Sequence, residues 1–217
     1  MTRIAAATGI PLRHQQHLVL HDISWAFYER LLREIGNGTT RVTYYRGTIE
    51  IMSPLPKHEK WKKRIGRLIE TMSLELRIRM ETLGSTTFRQ KLKKAGLEPD
   101  ECYYVQNAAA VKGKDRLDLA VDPPPDLAVE CDITSRSIKR EPVYAALGVP
   151  ELWRFDGKRL QVLALVGDRY EPREASSVFP FLPMKEIQRF LDRMREPGAD
   201  DLDVLTDFQQ WVRTLKR

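Results

Sequence analysis

The sequence predicts an α+β fold, in which a mixed central sheet is flanked by helices and preceded by an N-terminal helix and a hairpin. Two kinds of pattern support this fold class. Apolar residues recur at helical spacing in several stretches, and short runs rich in β-branched and aromatic residues are bounded by Gly, Pro and Asp turns. With 217 residues, 42% of them hydrophobic, the chain is long enough for one domain with a substantial core.

The N-terminal part is expected to hold an irregular segment, a helix and a hairpin. Residues 1–20 show no periodic pattern and are interpreted as an irregular arm. The stretch "DISWAFYERLLREIG" has apolar residues at helical spacing, with Asp22 or Ser24 as its cap. The following "RVTYYRGTIEIMS" is rich in β-branched and aromatic residues and breaks at Arg46-Gly47, which is typical of a hairpin.

A long amphipathic helix is predicted next, from about Lys57 to Leu83. Its apolar stripe consists of Trp61, Ile65, Leu68, Ile69, Met72, Leu76 and Met80. The segment "WKKRIGR" of the same helix combines basic residues with Trp61 and gives the helix a basic face. This face either contacts phosphates or is a solvated outer face behind the apolar stripe.

The rest of the chain is expected to alternate short strands and helices. Strands are predicted for "STTFRQKL", "EPDECYYVQ" and "DLAVECDIT", and a short helix for "SIKREPVYAALG". A strand meander is predicted for "PELWRFDG", "RLQVLALVG" and "DRYEPRE", and helices for "PMKEIQRFLDRM" and "LTDFQQWVRTLKR". We therefore expect the main domain to cover residues 21–193, followed by a helical extension over residues 194–217.

The composition of the chain indicates which kind of partner it binds and in which compartment it is found. The net charge of +6 favours polyanions such as nucleic acid, although a solvated basic surface explains it equally well. Cys102 and Cys131 form no C-x-x-C pair and lie in apolar runs, which is typical of buried thiols in a reduced, cytoplasmic protein. The chain has no stretch of eighteen apolar residues, so we expect no membrane span.

Carboxylates interrupt the most strand-like run of the chain. Strand alternation in "DLAVECDIT" places apolar residues on one face and Asp126, Glu130 and Asp132 on the other. Asp100 stands at the start of an earlier predicted strand, and the 29 residues between Asp100 and Glu130 are enough to bring the two strands side by side. Burying ionised carboxylates costs several kcal/mol unless they are paired or hold a metal.

Two carboxylates on neighbouring strands can share a hard cation such as Mg²⁺. Lys139 or Arg140 could then orient an attacking water or stabilise charge, which would give metal-assisted hydrolysis of a phosphodiester. The alternative is that these acids are solvated strand ends or turn caps. Asp132 fits an Asx turn as well as a metal site, and Asp126 fits a cap at the start of its strand better than a ligand.

Four segments carry a resemblance to a known family: "YYRGTIEIMSPLPKHEKW", "GLEPDECYYV", "DLAVECDITSRS" and "YAALGVPELWRFDG". Together they resemble the bacterial Uma2 family, over about residues 20–192. That family is placed in the PD-(D/E)xK nuclease superfamily, so the resemblance implies a restriction endonuclease-like core.

The resemblance also implies roles for individual residues. Asp100, in the Pro99-Asp100 pair, would supply the first acid of the superfamily and Glu130 the second, both binding Mg²⁺ or Mn²⁺. The superfamily usually has lysine two residues after the second acid, where this sequence has Asp132, a third candidate ligand.

In this family the basic residue comes instead from the helix that follows, which leaves Lys139 and Arg140 as candidates. Arg140 has the family's spacing to Tyr144, but we prefer Lys139 because arginine cannot be deprotonated. His58 or Glu59 would add a polar group from the first long helix, although His58 could instead bond the preceding loop.

The sequence thus predicts a cytoplasmic, metal-dependent endonuclease that hydrolyses DNA phosphodiester bonds. The alternative is a non-catalytic protein with a nuclease fold that binds nucleic acid or a protein partner, which Asp132 in the lysine position favours. A homodimer is a further expectation, because nucleases that cut both strands often pair symmetrically.

Overall fold

The computed structural model describes residues 17–36, 40–133 and 138–215. These ranges contain six helices and eleven strands. The helices are α1 (Trp25–Ile35), α2 (Pro56–Glu75), α3 (Ala108–Val111), α4 (Glu141–Leu147), α5 (Met184–Arg195) and α6 (Asp201–Arg213). The strands are β1 (His17–Leu20), β2 (Arg41–Tyr45), β3 (Thr48–Met52), β4 (Glu81–Thr82), β5 (Phe88–Gln90), β6 (Ala95–Leu97), β7 (Glu101–Tyr104), β8 (Leu127–Cys131), β9 (Glu151–Phe155), β10 (Leu160–Val166) and β11 (Arg169–Arg173).

The central sheet is mixed and has the strand order β11-β10-β9-β8-β7-β4. β8 and β9 are parallel, with α4 in the connection between them, and the other neighbours are antiparallel. Leu127, Val129 and Cys131 pack in one core with residues of α2, α5 and α6, whereas Ala128 packs in a second core with α4. The alternation predicted for this strand is confirmed, and it places Glu130 on the α4 side of the sheet.

The remaining strands form a second, antiparallel sheet of order β1-β3-β2-β6-β5, so the strands divide between two sheets rather than one. The predicted hairpin is β2–β3, and it belongs to this second sheet. Residues 17–20, expected in the irregular arm, form β1 beside β3, and residues 1–16 of that arm lie outside the described residues. α1 covers this sheet through Tyr28, whose ring stacks on Tyr44 with 4.9 Å between centroids.

The long helix ends earlier than predicted. α2 ends at Glu75, and not near Leu83, because the chain turns at Arg77, which has a left-handed φ of 52°. The Ser73 hydroxyl donates to the Ile78 carbonyl at 2.7 Å and fixes this turn. The residues that follow are needed as the edge strand β4, which pairs with β7. The apolar residues keep helical spacing beyond Glu75, but the pairing of β4 with β7 ends the helix there.

The C-terminal helices pack against α2. Val204, Phe208 and Val212 of α6 are buried in the same core as the apolar face of β8. Two ion pairs tie α2 to the α6 region: Arg64 with Asp201 at 2.6 Å, and Glu75 with Arg213 at 2.7 Å. In the described ranges, no helix combines the length and the apolar character that a bilayer span requires.

Candidate active site

Asp100 and Glu130 are brought together by the pairing of β7 with β8. The register pairs Glu101 with Val129, and the Asp100 amide donates to the Val129 carbonyl at 3.2 Å. Asp100 and Glu130 are therefore the next opposed positions in the antiparallel pair, which confirms that the two predicted strands are neighbours. Both side chains are buried, each residue with 2% of its surface exposed. Ionised carboxylates at this depth need partners.

Asp100 is held by a backbone amide and a histidine. Its Oδ2 accepts from the Cys131 amide at 2.7 Å and lies 3.0 Å from Nε2 of His58. His58 stands in the first turn of α2, where Pro56 occupies one of the first helical positions. The ring of His58 thus reaches Asp100 rather than only the preceding loop, to which its backbone amide bonds through Leu55.

His58 is cationic at neutral pH. Burial alone would lower its pKa, but hydrogen bonds to Asp100 and Glu59 and the charges of Asp100 and Glu130 outweigh burial and raise the pKa to about 9. Nδ1 of His58 lies 3.4 Å from Oε1 of Glu59. Of the two candidates on this helix, His58 is the one that contacts Asp100.

Glu130 is held by two residues of the α4 region. Its Oε2 accepts from the Tyr144 hydroxyl at 2.6 Å and lies 3.3 Å from Nε of Arg140. Arg140 and Tyr144 are four residues apart, and the Tyr144 amide bonds to the Arg140 carbonyl, so one helical turn presents both side chains to the carboxylate. A guanidinium nitrogen of Arg140 also donates to the Glu98 carbonyl.

The electrostatic environment keeps Arg140 and Tyr144 protonated. Burial would lower the pKa of Arg140, but the charge of Glu130 in particular, with those of Asp100 and Glu50, raises it. Burial, followed by the charge of Glu130, raises the pKa of Tyr144 well above its ordinary value. The Tyr144 hydroxyl therefore keeps its proton and donates it in the hydrogen bond to Glu130.

The structure separates the two candidate basic residues. Arg140 is buried and faces Glu130, whereas Lys139 is exposed and forms no ion pair with a described residue. Sequence reasoning used Tyr144 only to measure spacing and missed its contact with Glu130. The signal was present, because a residue four positions after Arg140 lies on the same helical face. It also missed Glu50 of β3, a buried acid whose charge acts on Arg140.

A cleft of about 830 Å³ opens beside Glu130 and Arg140, between the α4 region and the β9–β11 meander. Asp132 and Lys139 both line this cleft. Its other charged lining residues are Glu141, Arg154, Asp168 and Arg169. Asp132 is half-buried, and its amide donates to the Phe155 carbonyl at 2.7 Å. The turn predicted after Asp132 falls on residues 134–137, which lie outside the described residues.

The carboxylates fit a hard divalent cation. Mg²⁺ commonly takes only one or two carboxylates from a protein and completes its shell with waters and substrate phosphates. Glu130 lines the open cleft, and Asp100 lies opposite Glu130 just before β7. No group of three His, Cys, Asp or Glu side chains in the described ranges is placed to hold a metal ion by itself. A metal here would therefore depend on the two strand carboxylates and on oxygens from solvent or substrate.

Comparison with known proteins identifies the family. No curated protein matches the chain in sequence. The model of the Uma2 family, described as "Putative restriction endonuclease", matches residues 25–191, which include both strand carboxylates, Arg140 and Tyr144. The match covers most of the chain, and the mixed central sheet with flanking helices is consistent with a restriction endonuclease-like fold. The chain belongs to the Uma2 family.

Proposed function

We propose that this protein is a metal-dependent endonuclease that hydrolyses DNA phosphodiester bonds. One observation carries the proposal: two buried carboxylates occupy opposed positions on adjacent strands, and one of them lines an 830 Å³ cleft. The net charge of +6 supports a polyanionic substrate, and membership of a nuclease family supports the reaction class.

Asp100 and Glu130 would hold Mg²⁺ or Mn²⁺. When bound, the metal would supply Lewis-acid chemistry to the scissile phosphate and to an attacking water. The residues of the chain prepare the two carboxylates: the Cys131 amide and His58 orient Asp100, while Tyr144 and Arg140 orient Glu130.

Arg140 and Lys139 would act differently on the phosphate. Arg140 is fixed by Glu130 and the Glu98 carbonyl, so it supplies a fixed positive charge next to the reacting group. Lys139 is exposed on the cleft wall, so it can contact a non-bridging phosphate oxygen as a mobile point charge. Asp132 would add an oxygen ligand from the same wall.

A non-catalytic nucleic-acid-binding protein is the second candidate. Two observations favour it: Asp132 occupies the position where the superfamily has lysine, and the carboxylates already lie beside cations, Asp100 beside His58 and Glu130 beside Arg140. Such pairs neutralise the acids without a metal.

Cleavage of supercoiled plasmid and of single-stranded DNA tests the two candidates, with Mg²⁺, Mn²⁺ or EDTA. We expect metal-dependent cleavage by the wild type, reduced at least about a thousandfold in Asp100→Asn and in Glu130→Gln, because each loses a ligand charge. Asp168→Asn is the matched control, since Asp168 is an exposed acid on the same cleft, and it should cleave like the wild type.

Calorimetric titration with Mg²⁺ supplies the second readout. Binding by the wild type that is lost in both strand variants, but not in Asp168→Asn, would support the metal site. Equal Mg²⁺ binding by all four proteins, with DNA binding but no cleavage, would contradict the nuclease proposal and favour the non-catalytic candidate.

A further inference from the structure

A second concave surface, which we call the basic groove, lies along another face of α2. It is about 340 Å³ in volume and is lined by α2, by the turn between β9 and β10, and by the end of α5 with the residues that follow it. Its lining residues are Lys57, Lys60, Trp61, Arg64, Gly157, Met194, Arg195, Glu196, Gly198 and Ala199. The proposed hydrolysis uses none of these side chains.

The N-terminal half of α2 is strongly basic, and the structure divides its charges into two sets. Lys62 and Lys63 lie 4.0 and 3.5 Å from Oε1 of Glu101, on the side of the central sheet. On the groove side, Arg64 is held by Asp201 at 2.6 Å, with its guanidinium 4.7 Å from the Trp61 ring centroid.

Lys57 and Lys60 line the groove from α2, and the charge of Lys60 also acts on Asp201. Both are exposed, and neither forms an ion pair with any residue that the structure describes. Arg195 stands across the groove from them, at the end of α5, and its ion pair with Asp192 at 3.1 Å is exposed on both sides. Exposed ion pairs of this kind contribute little to stability, so Arg195 can readily exchange Asp192 for another anion.

The far wall of the groove is fixed to α5. The Gln188 side chain accepts from the Leu160 amide and donates to the Lys158 carbonyl, both at 2.8 Å. Arg195 also donates to the Lys158 carbonyl at 3.4 Å. The β9–β10 turn is therefore held in place, and the groove keeps its width.

The basic groove borders the candidate active site. Gly157 lines the groove and Ile133 lines the cleft, and a Cβ added at Gly157 would lie only 3.1 Å from Cγ2 of Ile133. Gly157 also has a φ of 91°, which favours glycine. In addition, Lys57 directly precedes His58, the partner of Asp100. A DNA strand that passes Asp100 and Glu130 can therefore continue into the basic groove.

We infer that the basic groove binds the sugar–phosphate backbone of DNA beside the position of cleavage, through Lys57, Lys60 and Arg195. The inference rests on the proposed function in taking DNA as the ligand. Phosphate contacts of this kind position the duplex without reading its sequence, and they make binding depend steeply on salt. Arg195 lies beyond residues 25–191, the range that the family model matches. The groove is therefore formed both by α2, which lies inside that range, and by residues that lie outside it.

Binding of fluorescent double-stranded DNA in EDTA, followed by anisotropy over a series of salt concentrations, tests the groove without cleavage. The variant Lys57→Gln, Lys60→Gln, Arg195→Gln is compared with Lys91→Gln, Lys93→Gln, Arg116→Gln. The second variant removes the same charges from exposed positions outside the groove and the cleft. The groove variant should bind at least tenfold more weakly at low salt, with a slope of log K against log salt shallower by about 2 to 3.

Equal weakening by the two variants would overturn the inference, because net charge alone would then explain binding. Unchanged affinity of the groove variant would overturn it as well, as would a wild type that binds no DNA in EDTA. Lys60→Gln alone, an exposed single change, gives the same test with a smaller expected loss and little risk to folding.

Cleavage separates this inference from the proposed function. The groove variant should keep kcat and raise KM, whereas Asp100→Asn should keep DNA binding in EDTA and lose cleavage. Full cleavage by Asp100→Asn with weakened binding by the groove variant would leave the groove standing and remove the proposed catalytic site.

Discussion

Two buried glutamates on neighbouring strands, Glu130 of β8 and Glu151 of β9, differ in the kind of partner that holds them. Glu151 is fully buried and accepts five hydrogen bonds from groups that carry no charge. The donors are the Trp153 indole at 2.7 Å, the Ser176 hydroxyl at 2.5 Å, the Ser177 amide and hydroxyl at 2.6 Å each, and the Val178 amide at 3.3 Å. Glu130 has the Tyr144 hydroxyl and, in addition, the cation of Arg140.

This difference separates a structural acid from a candidate functional one. The donors of Glu151 come largely from the 176–178 segment, so its carboxylate fastens that segment to the central sheet. Glu130 lines an open cleft, where under the proposed function its carboxylate would bind a metal and Arg140 would bind a phosphate. Asp126 belongs with Glu151, since it accepts from the Val105 amide at 2.7 Å and from the amide and side chain of Asn107. Burial alone does not distinguish the two types.

Glu151→Ala should give the largest effect on stability. It leaves the Trp153 indole and the Val178 amide without their acceptor in a buried site, and each unsatisfied group costs about 1 to 3 kcal/mol. We expect the free energy of unfolding in urea to fall by about 5 kcal/mol, a large part of the stability of an ordinary domain.

Two further variants make this result interpretable. Glu151→Gln keeps the shape and one acceptor oxygen, so it should lose less and remain folded if Glu151→Ala does not. Glu174→Ala removes an exposed acid a few residues before the fastened segment and should leave stability within about 0.5 kcal/mol. A loss under 1 kcal/mol in both Glu151 variants would contradict a structural role.

Arg140→Met should destabilise the site around Glu130 by about 4 kcal/mol at pH 8, because it removes the cation that lies 3.3 Å from this buried carboxylate. The free energy of unfolding in urea measures this loss.

Arg154→Met is the matched control for Arg140→Met. The partners Arg154 and Glu141 are both partly exposed, so their pair should contribute at most about 1 kcal/mol. Equal losses from the two arginine variants would show that Arg140 acts through packing rather than through the charge of Glu130.

Much of this contrast could be predicted from the sequence, but not its decisive part. Alternation placed Glu130 opposite the apolar face of β8, and the family resemblance singled out Asp100 and Glu130. Nothing local distinguishes Arg140 from Lys139, because the choice depends on how the start of α4 meets the end of β8. Periodicity also could not reveal Glu151 as a buried acceptor, since four of its five donor groups belong to residues 25 to 27 positions away.

The fold shows the same limit. Elements whose pattern is satisfied locally, such as α1 and the β9–β11 meander, lie where the sequence predicts them. The end of α2 and the division into two sheets were missed, because both depend on pairing between distant segments, such as β4 with β7. Tertiary pairing there outweighs helical spacing.

His58 gives the last and smallest of these stability effects, in the form of a pH dependence. Its folded pKa of about 9 lies above the unfolded value near 6.5, so the stabilisation is fully present below pH 6.5 and is lost as pH rises through 9. In EDTA, the wild-type free energy of unfolding should therefore fall by about 3 kcal/mol across this window. His58→Gln should remove most of that slope, whereas His21→Gln, a change at an exposed histidine, should keep it. The same slope in all three proteins would mean that Asp100 is not held by a cationic histidine, and the comparison with Glu151 would then rest on Glu130 and Arg140 alone.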